Sequence, residues 1–148
     1  RIIETHTVSV SDILMLYESL EIASVMTARI LCVEDNPQNM RLVRKILKRE
    51  GYAILEAEDG TSGFDLAENE VPDLILMDIN LPDVDGVEVT RHIRAKDHLN
   101  HIPIIALTAN TMYGEADYLA LGFDGFLAKP VTKETLLTMI SKILTGME

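Results

Sequence analysis

The strongest constraint on how this chain can fold is the run Leu74-Ile75-Leu76-Met77-Asp78-Ile79-Asn80, which is apolar for four residues and then abruptly acidic. A half-exposed strand would alternate between apolar and polar, so an unbroken run reads as a strand covered on both faces, as in a parallel sheet flanked by helices. Asp78 then stands at the strand's carboxyl end, and in open sheets of this kind ligands bind outside those ends. Other apolar runs finish in the same way. Ile30-Leu31-Cys32-Val33 leads into Glu34-Asp35, Ile102 to Leu107 leads into Thr108, and Gly125-Phe126-Leu127-Ala128 leads into Lys129-Pro130. Three acids, a hydroxyl and an ammonium would meet on one sheet edge, a set able to hold a divalent cation and a phosphoryl group together. Each tip taken alone has a plainer reading as a turn residue or helix cap. Asn36-Pro37 makes a good N-cap and N1 pair, so one acid of Glu34-Asp35 also reads as a complement to a helix dipole.

Helical patterns separate the apolar runs, the signature of βα units wound around a parallel sheet. The helix from Pro37 carries Met40, Val43, Ile46 and Leu47 on one face and stops at Gly51, a residue suited to a left-handed cap. Tyr52 to Glu56 reads as a shorter strand. One helix passes through Phe64, Leu66 and Ala67, and another starts near Gly86 with Val87, Val89 and Ile93 inward. After Thr108 a weaker helix holds Gly114, turns Ala116, Leu119 and Ala120 inward and ends at Gly122. The last helix carries Leu136, Leu137, Ile140, Ile143 and Leu144 at helical spacing.

At 148 residues the chain is one domain long. Its formal net charge of -11 excludes a nucleic-acid or anionic-membrane surface, which needs clustered Lys and Arg. Cys32, the one cysteine, falls inside an apolar strand and reads as a small core residue in a reducing compartment. No segment approaches the roughly 18 apolar residues of a membrane span. Glu4 and Asp12 stand where a signal peptide would carry positive charge. The expected location is cytoplasmic.

The order Glu34-Asp35, then Asp78 with Pro82 and Gly86 after it, then Thr108-Ala109, then Lys129-Pro130 resembles the receiver domain of two-component response regulators. The resemblance covers roughly residues 29 to 145, and its motif is spread over four strands in a set order. It implies an α/β fold, flavodoxin-like and doubly wound, a (βα)5 three-layer sandwich around a five-stranded parallel sheet. The implied function is that of a phosphoacceptor module phosphorylated on Asp78 in a Mg2+-dependent reaction, signalling by protein contact, with slow autodephosphorylation as its one catalytic act. Asp35 and Asp78 would ligate the metal directly, Glu34 directly or through water, and Asn80 through its backbone carbonyl. Many members of the family carry Asp at position 34, and the longer Glu still reaches. Lys129 would pair with the phosphoryl oxygens, and the Lys129-Pro130 bond is expected to be cis. Thr108 would hydrogen-bond the phosphoryl group and Phe126 would relay the change, the alternative for Phe126 being a plain core aromatic. Asn80 and Asn110 would border the path of the attacking water. Met112, Tyr113 and Tyr118 are the candidate outward contacts on the responding surface.

The implied partners are a histidine kinase or histidine phosphotransfer protein as donor and a downstream protein as target. A receiver cut from a hybrid histidine kinase or a multidomain regulator is the second reading. A phosphatase of the dehalogenase kind also uses a strand-end aspartate, magnesium and a lysine. It needs a second acid where Asn80 stands, and its nucleophile follows the first strand rather than the third. The receiver domain is placed at 28–146, and no output domain is expected in the four residues after Leu144. Residues 1–27 form an N-terminal extension, read as a linker, an interaction helix or an expression-derived segment. Within it Ile2 to Val10 alternates weakly like a strand, and Ser11 to Met26 reads as an amphipathic helix with Ile13, Tyr17 and Leu20 on one face. Met26-Thr27-Ala28 looks like the start of a single-domain receiver.

Overall fold

The computed structural model describes residues 7–109 and 113–146, with the side chains of 21–26 outside the description. Five strands, β1 (Arg29–Val33), β2 (Ala53–Ala57), β3 (Leu74–Asp78), β4 (Ile104–Thr108) and β5 (Gly125–Ala128), form one parallel sheet in the order β2-β1-β3-β4-β5. Six helices accompany them: α1 (Val10–Met26), α2 (Pro37–Arg49), α3 (Gly60–Glu70), α4 (Gly86–Arg94), α5 (Glu115–Ala120) and α6 (Lys133–Thr145). Every residue of β3 and β4 is buried, as their unbroken apolar sequences require.

Strand pleating divides the interior into two cores. Ile30, Cys32, Leu74, Leu76, Ile105 and Leu107 face Met40, Val43 and Leu47 of α2 and Leu136 and Ile140 of α6. Their neighbours Leu31, Val33, Ile75, Met77, Ile104 and Ala106 face Ala67 of α3, Val89 and Ile93 of α4, and Tyr118 of α5. The sandwich is therefore three-layered and doubly wound, as the resemblance implies.

Local rules set the helix ends. Asn36 caps α2 by accepting from the amides of Gln38 and Asn39 at 2.9 and 3.1 Å, Pro37 occupies the first turn, and Gly51 leaves the helix at φ 87°. β4 begins at Ile104 rather than Ile102 because Pro103 has no N–H to give the ladder; its carbonyl instead accepts from Ile75 at 2.9 Å. β2 is displaced by one residue from the expected span, and β3 ends at Asp78.

Two helices differ from expectation. In α5 the inward residue is Tyr118, 3% exposed, while Ala116, Leu119 and Ala120 face solvent. Gly114 is the N-cap rather than an interior residue, its amide bonded to Asp117 Oδ2 at 2.8 Å. The helix is six residues long, too short for an inward stripe, so one large aromatic supplies its contact. α1 starts at Val10, behind reciprocal Ser9 and Asp12 bonds, and has no apolar face. Ile13, Tyr17 and Leu20 are all exposed, and the apolar residues of the helix are spread around it with no preferred side. Thr7, Val8 and Ser9 are not strand, and the rest of the Ile2 to Val10 alternation lies outside the described residues.

Gly86 controls how α4 approaches β3. A Cβ there would lie 2.0 Å from the Asp78 carbonyl oxygen, and the obstructing atoms are all backbone. Gly86→Ala should destabilise the fold by about 3 kcal/mol or more, measured by urea unfolding; a loss below about 1 kcal/mol would show that the backbone relaxes around it.

Candidate functional site

The carboxyl ends of β1, β3, β4 and β5 lie along one edge of the sheet because parallel strands in register end together. Glu34 and Asp35 follow β1, with the Glu34 amide still in the ladder, donating to Ala57 O at 3.0 Å. Asp78 is the last residue of β3 and Thr108 the last of β4. The Lys129 amide donates to Thr108 O at 2.8 Å, which fixes where the lysine leaves β5, and the Lys129-Pro130 bond is cis.

Side chains meet across this edge. Lys129 Nζ lies 2.8 Å from Glu34 Oε1 and 2.9 Å from Asp78 Oδ2. Glu34 and Asp78 are each 1% exposed, whereas Asp35 faces solvent. One carboxylate oxygen from each of Glu34, Asp35 and Asp78 lies within 4.8 Å of the others. Glu34 Oε2 is buried with no hydrogen-bond partner among the described residues, an arrangement that costs free energy unless something positive comes to it. Three convergent carboxylate oxygens are a donor set that suits a hard divalent cation. Asn80, exposed in the loop after β3, donates its amide to Asp78 Oδ1 at 3.0 Å.

The electrostatics follow from burial. Burial, reinforced by the neighbouring Glu34 carboxyl, pushes Asp78 up to about 7 against the pull of Lys129. Glu34 moves the other way: burial raises it, but its contacts with Asp78 and Lys129 outweigh that and lower it. Lys129, also penalised by burial, is raised by its two carboxylate partners and so stays charged. Two buried acids beside one ammonium favour a protonated pair, and a divalent cation held there would compete with that proton.

Thr108 is buried, and it shares a face of the sheet with Ala106, whose register partner is Phe126. Phe126 is half-buried and stacks on Tyr118, with ring centroids 4.7 Å apart and planes at 22°. The expectation that Tyr118 faces outward is thus overturned, since it needs an aromatic partner for its ring and finds one inside. Tyr113 is exposed as expected and meets the edge of Tyr118. Met112 and Asn110 lie outside the described residues. Tyr118 is the component that sequence reasoning misassigned. A usable signal existed, because it is the one large ring in a helix whose other apolar side chains are small or near its ends.

Comparison with known proteins gives the family and the fold. The response regulator receiver domain family matches residues 30–141. The polar-differentiation response regulator DivK of Brucella ovis is 38% identical over 120 residues, which covers 80% of this chain and 98% of that protein. Among solved structures, the receiver domain of a sensor histidine kinase from Pseudomonas aeruginosa PAO1, with a magnesium ion coordinated in its active-site cleft, is 38% identical with a TM-score of 0.74. It is covered to 98% by 80% of this chain. A chemotaxis protein of Vibrio cholerae, 30% identical, matches with a TM-score of 0.74 over 79% of this chain and 98% of its own.

The raised carboxyl predicts a pH signature. Between the ordinary value of 3.8 and about 7 the folded protein keeps an Asp78 proton that the unfolded chain has lost. Stability therefore falls as pH rises through that window, and the penalty is complete above it. With chelator present, Asp78→Asn should be more stable than the parent above pH 7, by on the order of 1–3 kcal/mol. The advantage should shrink toward the ordinary carboxyl value, and urea titrations across the range would expose a pH-independent difference if the assignment is wrong.

Proposed function

This chain belongs to the response regulator receiver domain family and is a phosphoacceptor module of two-component signalling, and we propose that Asp78 is its acceptor, working with Mg2+ held on the same sheet edge. The observation that carries this reading is the convergence of Glu34, Asp35, Asp78 and Lys129 around one buried carboxylate. Asp35 and Asp78 would ligate the ion directly, Glu34 directly or through water, and Asn80 through its backbone carbonyl. When bound, Mg2+ offsets the repulsion between carboxylate and phosphoryl oxygens.

A carboxylate oxygen of Asp78 attacks the phosphorus of a phosphohistidine. The new O–P bond forms as the N–P bond breaks, and the leaving imidazole nitrogen keeps the electron pair and takes up a proton. Asp78 must be ionised to attack, and the Lys129 ammonium 2.9 Å away favours that form before pairing with the incoming phosphoryl oxygens. Thr108 then bonds the phosphoryl group. Because Phe126 lies on the same face and is stacked on Tyr118, a turn of its ring toward Thr108 would unstack Tyr118 and release α5. Phosphorylation of Asp78 adds charge and acceptor oxygens that Thr108 bonds, and so shifts the population of α5 arrangements.

The donor is a histidine kinase or histidine phosphotransfer protein, and the target is a protein that contacts the surface between Thr108 and α6. Residues 28–146 make up the receiver, with 1–27 an extension outside it. No helix among the described residues is long and apolar enough to cross a membrane, and the reading places the module in the cytoplasm, with slow autodephosphorylation as its own chemistry.

Acetyl phosphate with Mg2+ should add one phosphoryl group, seen by intact mass, and Asp78→Asn or chelation should abolish it. An undiminished adduct in Asp78→Asn would sink the assignment. Thr108→Ala should still be labelled, since nucleophile and metal ligands are intact. What it should lose is most of the beryllofluoride-induced change in amide exchange of residues 113–121; an unaltered response would mean that the signal leaves by another route.

A further inference from the structure

Asp83 belongs to the loop joining β3 to α4, three residues beyond Asn80, yet its carboxylate is committed to a different element. Oδ1 accepts from the Gly60 amide at 2.7 Å, and Oδ2 accepts from the Thr61 amide at 2.9 Å and the Thr61 hydroxyl at 2.6 Å. These bonds, the Thr61 hydroxyl first, hold the Asp83 carboxyl well below the usual carboxylate range. The α3 helix already has a cap in Asp59, which accepts from the Ser62 amide at 2.7 Å. The first three amides of α3 are thus shared between a local acid and one supplied from 22 to 23 residues away. A local cap would satisfy a helix by itself, so the second one does something a cap need not do: it ties the loop after β3 to α3.

The rest of that loop is held as tightly. The Asn80 amide donates to Asp78 Oδ1, and the Gly86 amide closes the loop by donating to Ile79 O at 2.9 Å. Gly60 lets the loop come close, since a Cβ there would lie 3.0 Å from Val84 O and 2.9 Å from Val89 Cγ2. Leu81 and Val84 pack against the α3 and α4 core. The loop is pinned at its start by the Asp78 carboxylate, at its end by a backbone bond and in its middle by Asp83.

We propose that Asp83 is a positioning residue for the cation site, fixing through its grip on α3 the loop that presents Asn80. The proposal rests on the reading above, in which the Asn80 carbonyl is a ligand. A loop already ordered loses less conformational entropy when an ion binds, so the grip should appear as affinity.

Calorimetric titration of the full chain with Mg2+ tests this. Freeing one or two loop residues should raise the dissociation constant of Asp83→Ala roughly five- to thirty-fold. Asp83→Asn, which keeps one acceptor, and Thr61→Val, which removes only the hydroxyl, should fall in between. In metal-free protein the amides of Gly60 and Thr61 should exchange faster in Asp83→Ala. A purely structural role would speed that exchange and lower thermal stability while leaving Mg2+ affinity of the folded protein unchanged, which would overturn the proposal. Should Asp83→Ala not fold, wild-type affinity in both Asp83→Asn and Thr61→Val overturns it equally. Asp35→Ala, titrated alongside, separates the failures: if it loses Mg2+ and the Asp83 variants do not, only the loop inference falls. If Asp35→Ala binds as the parent does, the assignment of the site itself is wrong.

Discussion

The structure turns on one lysine between two buried acids. Lys129 Nζ touches Glu34 and Asp78 at 2.8 and 2.9 Å, yet a single ammonium cannot neutralise both carboxylates and the nearby Asp35. Burying unbalanced negative charge is unfavourable, which raises the Asp78 carboxyl, while Glu34 Oε2 is left without a hydrogen-bond partner among the described residues. The same imbalance underlies the proposed chemistry. A pocket short of positive charge favours a divalent cation, and a carboxylate held near neutrality by burial becomes a competent nucleophile once cations surround it.

The rest of the fold supplies what this cluster needs from two sides. On one side of the sheet, α2 and α6 close an aliphatic core over Ile30, Leu74 and Leu76, a packing without aromatic rings among its fully buried members. On the other side lie Thr108, Phe126, Tyr118 and Phe123, where rings meet at stacked and edge-on angles. Aliphatic packing resists rearrangement because any shift opens voids. Tyr118 of the six-residue α5 is stacked there on Phe126 of β5. The division between an aliphatic side and one that carries the rings therefore follows from which residues point each way out of the strands, and a strand's alternation fixes that.

Much of this was legible in order along the chain. Apolar runs marked the buried strands, the acid or hydroxyl ending each run marked the functional edge, and Asn36, Pro37 and Gly51 marked one helix completely, because caps and periodicity are local rules. The parallel register then brought Glu34, Asp78 and Lys129 together, with Thr108 at the end of β4 on the same sheet edge. The misreadings came where local rules were silent. In α5 no stripe exists to read, so Tyr118 looked like a surface residue until the sheet supplied Phe126 as its neighbour. In α1 apolar residues are plentiful but have no preferred face, and counting them suggested an amphipathic helix that the structure does not contain.

The sequence by itself determined the fold class and the membership of the charged cluster, since a strand's burial and its terminal residue are both written within five or six consecutive positions. Only the tertiary structure decided what those groups do to one another. The orphaned Glu34 oxygen, the raised carboxyl of Asp78, the stacking of Tyr118 on Phe126 and the reach of Asp83 to α3 all depend on residues from 8 to 95 positions apart. Coulomb and hydrogen-bond energies vary over a few ångströms and with the surrounding dielectric. Distances of that kind exist only once the chain has folded.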